Sequence, residues 1–329
     1  MKTKIVYCLI SDATDYYYEQ LLISLCSLRK HNPDAVVEVV CDNDTFATLE
    51  GVRRYIYDYD VRVIPIDTPI GWKNWEKSRF LKTNLRKLTK GDYLYLDVDT
   101  VVCASLDCVD ELTCEVAAVK DGHFETTIPP YSKRSNGSEY WIWNNAKKAN
   151  VDVEGYWHFN SGVMYVKDSE KAHELYSVWY EKYSAQLKYG VKVDQLPLLL
   201  ANAEMNNVIS ELDAGLNCQV FYEAGKNILP HAKIVHYYCI QHHTILSHPW
   251  IIDPIKETGK LNSFIQHVID NPCDFFSMDS KIITGSDVAF YKTPFLRDSY
   301  YGCPKVFRFC VCLIKICYKV KRKLHKVLK

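Results

Sequence analysis

The chain has 329 residues, with 40 Lys and Arg against 40 Asp and Glu, so its formal net charge is zero. This length allows a large buried core in one or two domains, and the balanced charge argues against nucleic acid as a partner. The 13 cysteines are scattered and show no two-residue ligand spacing, which argues against a structural zinc site and favours a reducing compartment.

Predicted strands and helices alternate through the first hundred residues. Short apolar runs rich in β-branched side chains predict strands at residues 4–11, 35–42, 61–67 and 93–96. Leucines at helical spacing predict helices at residues 16–31 and 75–88, and residues 45–58 are also expected to be helical. This alternation predicts an α/β fold with a mostly parallel central sheet and helices on both faces.

The first predicted strand begins within a few residues of Met1, so we see no secretory signal peptide there. No run of about 18 apolar residues predicts a membrane span. We therefore expect a cytoplasmic protein.

Residues 121–155 break the alternating pattern. This segment is rich in Pro, Ser, Gly and aromatic residues, which predicts a loop insertion rather than a regular element. The predicted elements that follow it are a strand at 159–166, a helix through 172–183 capped by Asp168 or Ser169, a helix at 191–203 and a strand at 232–239. We expect a catalytic domain at residues 1–255, an extension at 256–303 and a separate tail at 304–329.

Two carboxylates, Asp97 and Asp99, follow the strand that ends at Leu96. A carboxylate next to an apolar strand is costly unless a cation neutralises it. Oxygen ligands suit Mg²⁺ or Mn²⁺, and such an ion can neutralise a diphosphate. A turn or a solvated edge is the alternative explanation. Because ligands bind beyond the carboxyl ends of parallel strands, we expect Asp12 and Asp42 at the same edge of the sheet.

A second enzyme class also fits this segment. DVDTV matches the nucleophile motif of haloacid-dehalogenase-like phosphatases, in which Asp97 would be phosphorylated and Asp99 would act as acid and base. That motif usually opens its domain, whereas several predicted strands come first here. The later sequence also lacks a clear Gly-Asp-x-x-x-Asp site after a strand.

Five segments, in order over roughly residues 4–250, resemble those of glycosyltransferase family 8: YLYLDVDTVV, HFNSGVMYV, VDQLPLL, AGLNCQVF and IVHYYC. The resemblance implies the GT-A fold and a retaining enzyme similar to bacterial lipooligosaccharide galactosyltransferases. Such an enzyme transfers glucose or galactose from a UDP-sugar to a surface-polysaccharide or lipooligosaccharide acceptor. A sugar-binding protein that keeps the fold without turnover is the non-enzymatic alternative.

The resemblance also implies roles for individual residues. Asp97, Asp99 and His236 would hold Mn²⁺ or Mg²⁺ against the UDP diphosphate. Asp194 and Gln195 would be the catalytic residues below the anomeric carbon, and because an amide is a poor nucleophile, front-face attack by the acceptor is favoured. The residues expected to contact the nucleotide-sugar are Asp12, Tyr17, Arg79, Lys82, Val98 and Asn160.

Structural roles remain open for several of these side chains. His236 could be a core histidine replaced as ligand by His231, His242, His243 or His248. Asp194 could serve only as a helix N-cap, and Arg79 and Lys82 could lie on a solvated helix face. The lysine that follows the family's metal-binding histidine is missing here, so we expect Lys82 or Lys226 to contact phosphate. No acceptor motif is recognisable in residues 121–155.

The tail from Pro304 to Lys329 contains nine Lys and Arg and no acidic residue, which leaves 31 basic and 40 acidic groups in residues 1–303. Its apolar residues at alternating spacings of four and three are Val306, Cys310, Leu313, Cys317, Val320, Leu324 and Val327. This pattern predicts a basic amphipathic helix on an anionic membrane surface. Packing onto the rest of the protein and coiled-coil dimerisation are the alternatives. We expect peripheral association with the inner face of the membrane, where a lipid-linked glycan acceptor is presented.

Overall fold

The computed structural model describes residues 1–133, 138–220, 222, 224–238, 246, 249–271, 277–278 and 281–282, together with single positions between 303 and 316. Met1–Ile282 form one compact unit and Ile283–Lys329 a second. No helix among the described residues combines the length and the apolar character needed to cross a bilayer.

Seven strands form the main sheet. They are β1 (Lys4–Leu9), β2 (Val37–Asp42), β3 (Val61–Ile66), β4 (Tyr93–Leu96), β6 (Val116–Lys120), β7 (Phe159–Val166) and β8 (Ile209–Glu211), and β5 (Thr100–Val102) lies outside this sheet. The order across the sheet is β3-β2-β1-β4-β7-β6-β8. Six strands run in one direction, whereas β7 is antiparallel to both of its neighbours. The predicted α/β class with a mostly parallel sheet is confirmed.

The α-helices cover the two faces of this sheet. They are α1 (Tyr17–His31), α2 (Asn43–Ala47), α3 (Asn74–Leu88), α4 (Ser138–Ala149), α5 (Glu170–Leu187), α6 (Gln195–Glu204), α7 (Gly225–Ile228), α8 (Pro249–Thr258) and α9 (Ser263–Asp270). The 3-10 turns are Gly51–Tyr59, Asp107–Glu111, Asp121–His123, Tyr131–Lys133, Ala214–Asn217 and Leu229–His231. Helix α8 runs across residue 255, and the domain boundaries expected from the sequence stay predictions.

Successive side chains of a strand point to opposite faces of the sheet, so the hydrophobic core has one part on each face. In β4, Leu94 and Leu96 pack with α1, whereas Tyr93 and Tyr95 pack with α3 and α5. The predicted stripe of α5 is buried on this second face, and Ser169 caps the helix by accepting from the Ala172 amide. The inner strands β1, β2, β4, β6 and β7 are buried on both faces because helices cover both, whereas the edge strands β3 and β8 are partly exposed.

Two predictions of local structure were wrong. Residues 121–155 are not only loop, since they contain the twelve-residue helix α4. Its Ile142 and Ala146 are buried against α6, a stripe that the surrounding Pro, Ser and Gly conceal in the sequence. Residues 45–58 form the short α2 and a 3-10 segment instead of one helix, and Gly51, the first residue of the 3-10 segment, has a positive φ of 55° that an α-helix does not allow.

A separate three-stranded sheet includes β5, which follows the central strand β4 along the chain. It consists of β5, β10 (Ile234–His236) and β9 (Cys218–Gln219), with β10 in the centre. β10 runs antiparallel to β5, and His236 pairs with Thr100. A further two-stranded ribbon consists of β11 (Ser277–Met278) and β12 (Lys281–Ile282).

Candidate active site

The chain turns sharply between β4 and β5, and this turn carries the two sequence-predicted carboxylates. The Asp97 amide donates to the Gly162 carbonyl at 2.7 Å, and Thr100 Oγ1 donates to the Asp97 carbonyl at 2.8 Å. These bonds close the turn so that Asp97 and Asp99 both face β10. The bend required for two carboxylates at i and i+2 to share one cation is therefore present.

His236 completes a cluster with the two carboxylates. Its Nε2 lies 3.2 Å from Asp99 Oδ1 and 3.9 Å from Asp97 Oδ2. One ligand atom from each of the three residues lies within 4.8 Å of the others. In the part of the chain that the structure describes, this is the group of His, Cys, Asp and Glu suited to a metal ion.

The buried Nε2 atom of His236 fits a cation. The Asn217 amide nitrogen donates to Asn160 Oδ1 at 3.0 Å, so Asn217 Oδ1, 3.0 Å from His236 Nδ1, is an acceptor. Nδ1 therefore carries the ring proton, and Nε2 presents a lone pair toward two carboxylates without a hydrogen-bond partner. Burial raises the pKa of Asp99, but its hydrogen bonds and nearby positive charge, including the Lys82 ammonium, more than offset this, so the pKa lies below its usual range and the carboxylate is ionised at neutral pH. A lone pair and two carboxylates suit a divalent ion.

Asp194 lies at the start of α6 and contacts two positively charged side chains. Its carboxylate is 3.1 Å from Arg79 Nε and 3.4 Å from Lys82 Nζ, and it accepts from Ser161 Oγ at 2.8 Å. The side chain makes no capping bond to α6, so the N-cap alternative is wrong. Burial alone would raise the pKa of Asp194, but Arg79, Lys82 and Ser161 together hold it well below its usual range.

Lys82 connects this carboxylate to the cluster. Its ammonium is 3.0 Å from Asp97 Oδ1 and 3.2 Å from Asp97 Oδ2, and the residue is only 4% exposed. Arg79 and Lys82 thus share one face of α3 and point into the site, which is not a solvated face. Despite burial, the two carboxylates beside Lys82 raise its pKa, so the ammonium stays charged.

Two cavities meet at the cluster, and both contain Arg79, Asp97 and Tyr238 in their walls. The first, of about 490 Å³, is also lined by Tyr17 and Val98. Asp12 is not among its lining residues. Its carboxylate accepts hydrogen bonds from Thr14 and, at 2.9 Å, from Asn74. Asp42 at the same sheet edge is occupied by structural bonds to Thr45 and Lys77.

The second cavity, of about 460 Å³, contains Asn160, Asp194 and Gln195. The Asn160 amide donates to Asp121 Oδ1 at 2.8 Å, and Gln195 Nε2 donates to the same oxygen at 3.1 Å. Asp121 is 4% exposed and was not predicted. It directly follows the apolar run VAAVK, which is the same signal that singled out Asp97, so the sequence contained the evidence for it.

Some predicted residues are not brought to the site. His231 is exposed and lies outside the cluster, and His242, His243 and His248 lie outside the described residues, as does the side chain of Lys226. Trp141 of α4 lines the second cavity. It was missed because its segment was predicted to be a loop.

The sequence model described as Glycosyl transferase family 8 matches residues 8–242. A Haemophilus influenzae protein that carries a provisional glycosyltransferase name is 23% identical over 200 residues, which are 55% of this chain and 56% of that protein. The chain thus spans little more than half the length of this curated relative.

The chain also shows a low similarity to solved structures of glycosyltransferases. Mouse xyloside xylosyltransferase 1 is 14% identical with a TM-score of 0.48, covering 72% of this chain and 98% of the other. The galactosyltransferase LgtC, solved with donor and acceptor sugar analogues, is 16% identical with a TM-score of 0.49, covering 79% and 97%. GlyE of Streptococcus pneumoniae is 17% identical with a TM-score of 0.46, covering 82% and 63%.

Proposed function

Because the chain belongs to glycosyltransferase family 8, we propose that it is a retaining, metal-dependent enzyme that transfers glucose or galactose from a UDP-sugar to a surface glycan or lipooligosaccharide acceptor. The observation that carries this proposal is the position of the Asp97, Asp99 and His236 cluster at the junction of the two cavities. A nucleotide in the first cavity and a sugar in the second would place the diphosphate at the cluster.

The cluster would hold Mn²⁺ or Mg²⁺, which supplies Lewis-acid stabilisation of a leaving diphosphate when bound. The protein adds its own positive charge beside this position. Arg79 and Lys82 lie next to Asp194 and Asp97, and both remain cationic at neutral pH. Fixed charges at the place where negative charge develops stabilise the transition state without reorganisation.

The chemistry of Gln195 favours attack of the acceptor hydroxyl on the same face of the sugar that the nucleotide leaves. An amide is a weak nucleophile even through its oxygen, and the hydrogen bond from Gln195 Nε2 to Asp121 at 3.1 Å fixes the orientation of the side chain. Asp194 is neutralised by two cations and is therefore also a weakened nucleophile. A covalent sugar intermediate on either residue is disfavoured, and a same-side attack by the acceptor hydroxyl accounts for retention.

Release of UDP from a panel of UDP-sugars, with and without Mn²⁺, tests the proposal. We expect turnover of at least one UDP-hexose in the presence of the metal. Asp97→Asn removes a ligand, and a loss of several kcal/mol of charge stabilisation corresponds to a rate lower by about 100-fold or more. Asp34→Asn, at an exposed turn, is the matched control and should be unchanged.

Two other outcomes would contradict the proposal. Phosphate release from simple monoesters without UDP release would support the phosphatase alternative. Binding of a UDP-sugar without UDP release, also in the presence of glycan acceptors, would support a sugar-binding protein. Family membership favours neither of these outcomes.

We further propose that residues 304–329 bind an anionic membrane surface and bring the enzyme to a lipid-linked acceptor. Most of this tail lies outside the described residues. The described positions Val306, Phe309, Leu313 and Ile316 are helical and expose apolar side chains, with Phe309 64% exposed. Apolar residues among nine cationic ones suit an anionic interface. Deletion of residues 304–329 should abolish sedimentation with anionic liposomes, and unchanged sedimentation would refute this role.

A further inference from the structure

We propose that Trp141 is the platform on which the terminal pyranose of a glycan acceptor stacks. This inference rests on the proposed transfer from a UDP-sugar and adds the class of acceptor. It depends on three features of the second cavity: the fixed position of the Trp141 ring, its place among the cavity walls, and the polar groups that line the same cavity.

The position of Trp141 is set by packing below it. Helix α4 anchors on α6 through Ile142 and Ala146, both fully buried. The indole plane lies within 13° of the imidazole plane of His158, with ring centroids 6.3 Å apart. Burial lowers the pKa of His158, so the imidazole is neutral at pH 7 and the indole lies parallel to an uncharged ring. A ring held in this way is a rigid surface for a ligand.

The arrangement of the cavity separates Trp141 from the donor. Trp141 lines the second cavity and is not among the lining residues of the first. Arg79, which is shared by both cavities, marks the side where a diphosphate would enter. The donor hexose would follow it toward Asp194 and Gln195 at the start of α6. The remaining part of the second cavity, beside Trp141, is then available to the acceptor.

The chemistry of this part of the cavity suits a pyranose. One face of such a ring carries C–H groups that pack on an aromatic plane, and its edge carries hydroxyl groups. Trp141 supplies the plane, and the Asp121 carboxylate and the Tyr222 hydroxyl, which line the same cavity, supply polar partners. An aromatic plane beside a few convergent polar groups is the pattern of a selective small-molecule site.

Saturation-transfer NMR with methyl β-D-galactopyranoside and methyl β-D-glucopyranoside, in the presence of UDP and Mn²⁺, tests the platform. We expect saturation on the ring C–H face for the wild type and for Trp141→Phe. Loss of the stack in Trp141→Ala should weaken binding by about tenfold, in keeping with the usual strength of such contacts. D-Sorbitol, which has hydroxyl groups but no ring, should show no saturation.

Enzyme kinetics distinguish a failure of the Trp141 proposal from a failure of the proposed function. Hydrolysis of the UDP-sugar without acceptor reports donor binding alone, and Trp141→Ala should leave its KM and rate unchanged while raising the KM for the glycoside. Tyr140→Ala, an exposed neighbour on α4, is the matched control and should alter neither quantity. If the wild type turns over no UDP-sugar, the proposed function fails.

Three outcomes would refute the proposal that Trp141 is a stacking platform for the acceptor. The first is glycoside binding by Trp141→Ala equal to that of the wild type. The second is an increase in the KM for the UDP-sugar, which would place Trp141 on the donor. The third is absence of saturation on either glycoside with the wild type. Retained UDP-sugar hydrolysis in Trp141→Ala shows that the variant is folded in each case.

Discussion

Gly162 of β7 leaves no room for a side chain beside the proposed metal ligands. A Cβ atom at this position would lie 2.1 Å from His236 Cε1 and 2.9 Å from Asp97 Oδ2, whereas ordinary contacts begin near 3.4 Å. The Asp97 carboxylate is flexible at its end. His236, however, is 2% exposed and held by Asn217 through Nδ1. Gly162→Ala must therefore displace the imidazole or the strand.

We expect two measurable effects of Gly162→Ala. Overpacking of a buried site of this kind lowers the free energy of unfolding by about 1–3 kcal/mol. Misplacing one of three ligands should weaken Mn²⁺ binding by about 10- to 100-fold, the size of effect seen when the support of a metal ligand is lost. Urea unfolding measures the first effect, and calorimetric titration with Mn²⁺ in the presence of UDP measures the second.

A double-mutant cycle tests the cause. In a His236→Ala background the crowded ring atoms are absent, so adding Gly162→Ala should cost less than about 1 kcal/mol. Ala118→Val, which overcrowds the buried strand β6, should lower stability without weakening Mn²⁺ binding. Equal destabilisation by Gly162→Ala in both backgrounds, or unaltered Mn²⁺ affinity, would refute the steric argument.

Three further predictions concern the same site. Asn217→Leu should weaken Mn²⁺ binding by about 10- to 100-fold because the His236 Nδ1 proton loses its acceptor, whereas Asn217→Asp, which keeps this acceptor and loses only the hydrogen bond to Asn160, should weaken binding less; equal titrations for both variants would contradict this. The folded-state pKa of Asp194 is lowered, so its stabilising effect is present above the ordinary carboxyl pKa of about 4 and is lost as pH falls below it; Asp194→Asn should flatten the fall in unfolding free energy between about pH 5 and pH 3, and an unchanged slope in urea titrations would argue against it. Saturating Mn²⁺ at about 100 times its dissociation constant should stabilise the protein by about 2.7 kcal/mol, and EDTA should reverse the rise in Tm; Asp99→Asn should show little rise at all.

The sequence predicted the elements whose apolar residues follow a regular spacing. Strands β1, β2, β4 and β7 and helices α1, α3 and α5 were recognised because each buries a continuous run or a stripe. The partly exposed strand β3 was recognised from its β-branched residues. Helix α4 was missed because it buries only one short stripe against α6 and its segment otherwise has the composition of a loop. Burial against a neighbouring helix cannot be read from local composition.

The site residues that could be predicted from the sequence are those whose residue type and position in the chain point to the same role. Asp97 and Asp99 follow a strand, and the resemblance supplied His236 as their partner. The dual contact of Lys82 with Asp97 and Asp194 was not predicted, since it depends on how α3 crosses the end of the sheet. Asp12 was expected to contact the nucleotide, but its carboxylate is engaged by Thr14 and Asn74. Its role in binding UDP stays a prediction.

The reversed direction of β7 explains why these residues meet at all. β4 ends at Leu96, which pairs with Val163 in the middle of β7. The residues that enter β7, Asn160 to Gly162, therefore lie at the carboxyl end of β4, next to Asp97. The eight residues of β7 span roughly 23 Å at about 3.3 Å per residue. A parallel β7 would have carried Asn160 to the opposite edge of the sheet. Strand direction is a property of the connections between elements, so no motif within FNSGVMYV reveals it.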